Sequence, residues 1–487
     1  MAGVTGARVV VAGGHSAGHI EPAMNFADAL RRLEPTAEIT ALGTVRGLDT
    51  RLIPARGYPL ELIPPVPLPR KLNRALLQAP GRLRDSVLAA GAVLDRVGAE
   101  VVVGFGGYVA GPAYLAARRR GLPIVVHEAN ARPGVANRLG ARMTTHVFTA
   151  APGVQLAHAT AIGIPLRPAI TGLDRPALRD AARQRFGLRP DGPVLMVTGG
   201  SQGAGAINAA VSGAAPALRA AGVQVLHITG PQHAVQVPGG HPADAPYVVI
   251  PYVDEMQYAY AAADFVICRS GAMTCAELAA VGLPAAYVPL PVRGGEQRLN
   301  ADPVVAAGGA LLVDDAGLDP AWIEATLIPV LTDPGRIAAM SARASAAGAP
   351  DADVVLARYV LTAVAERRRL TSRGSASARQ PHCCAEPASG PGREGKGSVV
   401  CLGDALDDGQ AEADTSMITV DAFGAALERF GECRDQLRSE LRPGALDSED
   451  DGPGADGGTD PHGAVMGEVV DDGVVQEVRG HLQQQSG

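Results

Sequence analysis

Lysine is nearly absent from this chain: of 43 basic residues in 487, only Lys71 and Lys396 are lysines. The bias fits a GC-rich coding sequence and carries no functional weight. Aromatic residues are also scarce, at 3%, which excludes a nucleic-acid surface built on base stacking. The six cysteines do not form a disulfide framework. Cys268 and Cys275 stand in an apolar stretch, and Cys383, Cys384, Cys401 and Cys433 lack paired CxxC spacing. A reduced, cytosolic chain is expected. Long apolar runs are missing too. The longest uncharged segment, residues 192–218, is rich in Gly, Ser, Gln and Asn and cannot serve as a transmembrane helix. The opening MAGVTGARVVVAGGHSAGH turns glycine-rich after four apolar residues and does not read as a signal peptide. Any membrane contact is therefore expected to be peripheral.

Hydrophobic content of 47% with 19% charged residues marks a globular protein. The length predicts two or three domains. The formal net charge of −7 conceals an asymmetry. Residues 371–487 hold 9 basic and 22 acidic residues, a net of −13, whereas residues 1–370 hold 34 and 28, a net of +6. A basic body suits anionic ligands and an anionic membrane surface; nucleic acid is not expected as a partner. The segment beyond about residue 370 combines low hydrophobicity with runs such as DSEDDGPGADGGTD. It reads as largely disordered, with one amphipathic helix over 421–441.

Short β-branched runs alternate with Ala/Leu/Arg stretches of helical length, the pattern of βαβ units around a parallel sheet. Strands are expected at 8–12, 38–42, 101–103, 124–127 and 147–149. A second series is expected at 194–198, 224–229, 247–250, 265–268, 285–288 and 310–312. Helices are expected over 22–33, 72–97, 111–120, 134–141, 204–220, 254–262, 273–281 and 297–307. Two open α/β domains meet near residue 165, so the ligand cleft should lie between them.

Three glycine-rich turns follow strands: Gly13–His19 (GGHSAGH), Gly104–Tyr108 (GFGGY) and Gly199–Ala204 (GGSQGA). Small residues at a helix start let backbone amides approach an anion. The first turn leads into a helix with Pro22 near its first turn. The first turn lacks GxGxxG spacing, none of the three fits GxxxxGK[ST], and ALGTVRG puts no carboxylate at the end of the second strand. Nicotinamide dehydrogenases and P-loop NTPases are disfavoured accordingly.

The segments GGHSAGHIEPA, GFGGYVAGPAYLAA, VVHEANARPGVANR, GIPLR, TGGSQGA, CRSGAMTCAELAAVGLP and GEQRLNA occur in this order. Together they resemble the MurG family over about residues 8–365. These enzymes transfer N-acetylglucosamine from its UDP donor to lipid I, giving lipid II for peptidoglycan. The resemblance implies a GT-B fold with two Rossmann-like domains, an N-terminal acceptor and membrane-associating domain over 1–166 and a UDP-sugar domain over 167–369. The acidic tail, 370–487, lies outside it. The last helix is expected to pack back on the first domain. The C4 hydroxyl of the N-acetylmuramyl unit would attack C1 of the donor with inversion, and UDP would leave.

His19 is the candidate base, since an imidazole titrates near working pH; a capping or core role is the alternative for a lone histidine. The resemblance assigns donor contacts to Ser16, Ala17 and Gly18 in the first turn, to Asn130 at the sugar and to Arg167 on the nucleotide side. It assigns Ser201 to the diphosphate, Val253 to uracil, and Ala272, Met273 and Thr274 to the donor pocket. Glu277 would take the ribose hydroxyls, and Gln297 would read the sugar. Taken singly, Arg167 reads equally as a hinge ion pair, Ser201 as a helix N-cap, Glu277 as a solvated helix residue, and Asn130 and Gln297 as turn or surface amides. Tyr108, His127, Glu128 and Asn137 are weaker candidates, for acceptor binding or for shaping the first domain's face; His127 and Glu128 end a buried strand, where structural hydrogen bonding serves equally well. His15 stands where glycine is usual, Ala129 and Glu296 replace glutamine, and Ile164 replaces asparagine. No metal-ligand constellation and no cofactor are expected. The resemblance implies lipid I, UDP-N-acetylglucosamine and an anionic membrane as partners, with cell-wall or division proteins beyond them. It places the chain peripherally on the cytoplasmic side of the cell membrane; the apolar and basic mixture around Arg70, Lys71, Arg74, Arg82 and Arg84 suits anionic lipid, and reads equally as an amphipathic surface helix with its arginines in water. Another GT-B enzyme with a soluble acceptor, or a noncatalytic nucleotide-sugar binder, are the rival readings.

Overall fold

The computed structural model describes residues 6–66, 74–291 and 295–377. Two parallel sheets organise them. The first has the strands β1 (Arg8–Gly13), β2 (Glu38–Gly43), β3 (Leu60–Leu62), β4 (Val101–Gly106), β5 (Ile124–Glu128), β6 (Val147–Thr149) and β7 (Ala159–Ala161) in the order 3-2-1-4-5-6-7. The second has β8 (Val194–Thr198), β9 (Gln224–Ile228), β10 (Tyr247–Ile250), β11 (Phe265–Cys268), β12 (Ala285–Tyr287) and β13 (Ala310–Leu312) in the order 10-9-8-11-12-13. Every pairing is parallel. In each lobe the order reverses beside the first strand, which opens a crevice beyond the strand ends there.

Continuous apolar strands are what a sheet covered on both faces needs. Val9 and Val11 pack on one side of the first sheet with Phe26 and Leu30, while Val10 and Ala12 pack on the other with Val87, Leu94 and Ala113. The second sheet repeats this: Met196 and Val266 face one core, and Leu195, Val197 and Phe265 the other. Each such aliphatic or aromatic burial stabilises by about 1.5–3 kcal/mol.

All eleven expected strands are present, with small shifts at their ends. β3 and β7 were not expected; three residues of LEL or ATA carry too little periodicity to register. Two helix expectations need correction. The first helix spans Ala17–Leu33, so Pro22 lies inside it rather than in its first turn. Proline there removes the i+4 donor from the Gly18 carbonyl. The expected helix over 204–220 is two helices, Gly205–Gly213 and Ala215–Ala220, the second with proline in its opening turn. Further helices at Asp49–Ala55, Arg175–Arg185 and Pro334–Ala346 complete the lobes. The helix expected over 421–441, and the disorder expected around it, lie outside the described residues.

The chain crosses between lobes twice. After β7 it runs through Gly163 to Arg167, and it returns near Ala349 into the Ala352–Ser377 helix. Gly163 has φ +94, and a Cβ there would come within 2.5 Å of the Ala349 Cβ, so the two crossings touch only because this residue is glycine. The returning helix buries Leu356, Ala357, Val360 and Val364 against Phe26, Leu30 and Phe148 of the first lobe. Arg32–Asp353 and Arg368–Glu100 ion pairs, both at 2.6 Å, flank this seam. Among the described residues no helix is long and apolar enough to cross a membrane.

Candidate active site

The first and second glycine turns meet each other. A Cβ on Gly107 would lie 2.4 Å from the Gly14 carbonyl oxygen, and one on Gly106 would lie 3.1 Å from the His19 ring. The glycines of the second turn thus leave room for the first turn and its histidine. His15 adopts φ +77, a left-handed conformation uncommon outside glycine. Buried Asp49 holds it there, accepting the backbone N–H of His15 at 2.5 Å and that of Thr44 at 2.7 Å. The His15 ring lies against Tyr108, centroids 4.9 Å apart, at the exposed rim.

Ser16 is the N-cap residue of the first helix and His19 lies three residues on. His19 therefore caps nothing. Its Nδ1 sits 2.9 Å from the Phe105 carbonyl at the end of β4. A carbonyl only accepts, so Nδ1 donates to it, and in the neutral ring the lone pair is on Nε2.

A cleft of about 530 Å³ opens between the lobes. From the first lobe Ser16, Ala17, Gly18, His19 and Asn130 line it, and Arg167 lines it from the linker. Ser201, Ala272, Met273, Thr274 and Glu277 line it from the second lobe. Eleven of the thirteen residues assigned as base or donor contacts therefore share one cavity. Val253 and Gln297 are not part of its wall. Val253 packs against the second-lobe core. The Gln297 carbonyl accepts the Leu290 N–H at 2.9 Å, so its Nε2 hydrogens remain for other acceptors.

Of the bland alternatives, two fail. Ser201 is no N-cap, because that position before the Gly205–Gly213 helix belongs to Ala204. Glu277 is buried rather than solvated, at 8% exposure. The Tyr260 hydroxyl donates to its Oε2 at 2.7 Å and the Arg167 guanidinium stands 3.6 Å from Oε1. Burial raises its pKa above the ordinary carboxylate value, against the opposing pull of Tyr260 and Arg167. Arg167 is both an ion-pair partner and a cleft residue.

His127, Glu128 and Asn137 are fully buried. Glu128 accepts the N–H groups of Asn130 and Gly134, each at 3.0 Å, and the Asn137 amide at 2.9 Å. Asn137 accepts in turn from Tyr114 at 2.8 Å. This network shapes the turn that carries Asn130. His127 donates through Nε2 to the Gly163 carbonyl at 2.8 Å, because a carbonyl only accepts.

Sequence reasoning missed Glu21 and Asn25, which line the cleft from the first helix, and Asp49 beneath it. Their signal was available only as polar positions on one helix face. Glu296, singled out only as a departure, also lines the cleft. Burial and Glu128 raise its pKa, with His19 and Arg132 opposing.

Comparison with known proteins fits this geometry. Residues 9–149 match the glycosyltransferase family 28 N-terminal domain and residues 194–356 its C-terminal domain. A Streptomyces avermitilis UDP-N-acetylglucosamine–N-acetylmuramyl-(pentapeptide) pyrophosphoryl-undecaprenol N-acetylglucosamine transferase is 58% identical over 74% of this chain and 99% of its own length. The enzyme of the same name from Thermobifida fusca is 57% identical over 75% of this chain and 96% of its own. The crystal structure of Acinetobacter baumannii MurG superposes with a TM-score of 0.61 at 26% identity, over 73% of this chain and 99% of that one. With two stacked parallel-sheet lobes, a cleft at their strand ends and identity sustained along nearly the whole of its relatives, the chain belongs to the MurG family of glycosyltransferases.

Proposed function

We infer that the chain transfers N-acetylglucosamine from UDP-N-acetylglucosamine to the muramyl sugar of undecaprenyl-pyrophosphoryl-N-acetylmuramyl pentapeptide, converting lipid I to lipid II. The relatives named above carry this activity in their names over almost their full length. The observation that carries the mechanism is the His19–Phe105 hydrogen bond at 2.9 Å. With Nδ1 donating to that carbonyl, the nitrogen left to act as general base would be Nε2. His19 would take the proton of the acceptor C4 hydroxyl as that oxygen attacks C1 of the donor sugar with inversion. The bond from C1 to the diphosphate oxygen breaks, and UDP leaves. Charge develops on the departing diphosphate. The amides of residues 16–18 at the Ala17–Leu33 helix N-terminus and the turn at Ser201 face that region.

Glu277 suits the two ribose hydroxyls, because one carboxylate oxygen receives Tyr260 and lone pairs remain for a ligand. Asn130 would contact the sugar, Gln297 would offer its free Nε2, and Val253 would meet uracil through its backbone. We place the boundary of the acceptor and donor domains at 166/167, where the linker hands over to Arg167.

The polyprenyl acceptor requires work at a membrane surface. Exposed Leu62 and Leu88, with Arg84 one turn before Leu88, support a peripheral site on anionic lipid at the cytoplasmic side. Arg70 and Lys71 lie outside the described residues.

The test is product identity. Incubation of the full chain with UDP-N-acetylglucosamine and a lipid I analogue should yield the analogue extended by one N-acetylhexosamine in β linkage. Extension of a small soluble aglycone, with the lipid I analogue untouched, would favour a different acceptor class.

A further inference from the structure

We propose that Asn300 is a positioning residue that clasps the two lobes behind the donor sugar. It lies on the Glu296–Ala306 helix of the second lobe, one turn after the cleft residue Glu296 and on the same helix face. Its Oδ1 accepts the backbone N–H of Ala131, in the first lobe, at 3.0 Å. Its Nδ2 donates to the Ser270 carbonyl, at 3.4 Å, in the turn that precedes the cleft residues Gly271–Thr274. One amide thus joins both walls of the cleft.

Ala131 follows Asn130 directly. The N–H of Asn130 is held by Glu128 at 3.0 Å, and the N–H of the next peptide by Asn300. The backbone that carries Asn130 is therefore fixed from one side by its own lobe and from the other by the opposite lobe. Small residues allow this approach: Ala129, Ala131, Ala272 and Ala276 line the crevice where Asn300 sits. Removing the amide would leave the Ala131 N–H without its partner beside an apolar crevice, so closure of the lobes around a sugar would be weakened.

The proposal rests on the reading of the cleft as a UDP-N-acetylglucosamine site and predicts a specific pattern. UDP alone would draw mainly on the linker and second lobe, through Arg167, Ser201 and Glu277, whereas the sugar spans to Asn130. The test compares binding of UDP and of UDP-N-acetylglucosamine to the full chain, alongside steady-state kinetics. In Asn300→Ala, Kd and KM for UDP-N-acetylglucosamine should rise roughly three- to ten-fold. The UDP Kd and kcat should stay within about two-fold. Asn300→Asp keeps an oxygen acceptor for Ala131 but loses the Nδ2 donor to the Ser270 carbonyl, so it should remain impaired. An unchanged UDP-N-acetylglucosamine Kd, a UDP Kd raised in parallel, a kcat loss at constant KM, or wild-type binding in Asn300→Asp would each overturn the clasp. A wild-type chain that binds both nucleotides yet leaves lipid I unextended would instead contradict the proposed function, and the ratio of the two Kd values would still report on Asn300.

Discussion

At His15 the backbone stands at φ +77, where a side chain with a Cβ costs on the order of 1–2 kcal/mol. Asp49 offsets that cost by accepting the His15 N–H from beneath the turn. His15→Gly should therefore raise stability by about 1 kcal/mol, less the lost contact with Tyr108, as read from urea midpoints at constant m. Asp49→Asn, which weakens acceptance of two N–H groups, should lower it by about 1–3 kcal/mol. Glu277 gives a second residue-scale test. Its raised pKa means that the carboxylate takes up a proton above the ordinary range as pH falls, and the proposed ribose recognition would be lost with it. The UDP Kd should rise on the acid side starting above pH 4.5, and Glu277→Gln should both weaken UDP binding and flatten that limb. A third test concerns the buried histidines. Burial holds His127 and His227 down to about 4, well below the 6.5 of an unfolded histidine. The unfolded chain then binds more protons between those values, so the stability they contribute is full above 6.5 and drains away toward 4. Thermal melts across this interval should show a loss that His227→Gln makes shallower.

At the scale of elements, the strands were the most legible part of the sequence. A buried parallel strand is a continuous run of β-branched residues, and VVVA, VLMV and FVIC state that without help from partners. The helix starting at Ala17 was less legible at its first turn, because GHSAGH has poor helix formers and the turn exists to present amides. β3 and β7 owe their existence to edge pairing with neighbours, which no local pattern encodes. The cleft shows the same division. Glycine turns and the HEAN and CRSGAMTCAELAA segments located most of the wall. Asp49, Glu21 and Asn300 act through partners far away in sequence, and only the fold brings those partners close. The returning Ala352–Ser377 helix is another long-range effect. Leu356 is fully buried in the first lobe, so Leu356→Ala should cost about 2–5 kcal/mol. Proteolysis should then cut first near residue 350.

For the whole molecule, the architecture divides labour between two sheets. Each buries its own core, and the catalytic groups stand at the facing strand ends, joined by Arg167, Asn300 and the two crossings at Gly163 and Ala349. On the proposed reading transfer depends on both ligands: the donor would be held mostly by one lobe and the base supplied by the other. The central claim is that His19 removes a proton from a lipid-linked sugar acceptor held in this cleft. It is tested most directly by UDP release from UDP-N-acetylglucosamine, measured with and without a lipid I analogue, for the wild type and for His19→Ala. The wild type should release UDP only when the analogue is present. His19→Ala should bind UDP with unchanged affinity and lose about 10²–10⁴-fold in rate. Equal UDP release without acceptor, or full acceptor-dependent turnover in His19→Ala, would contradict the account.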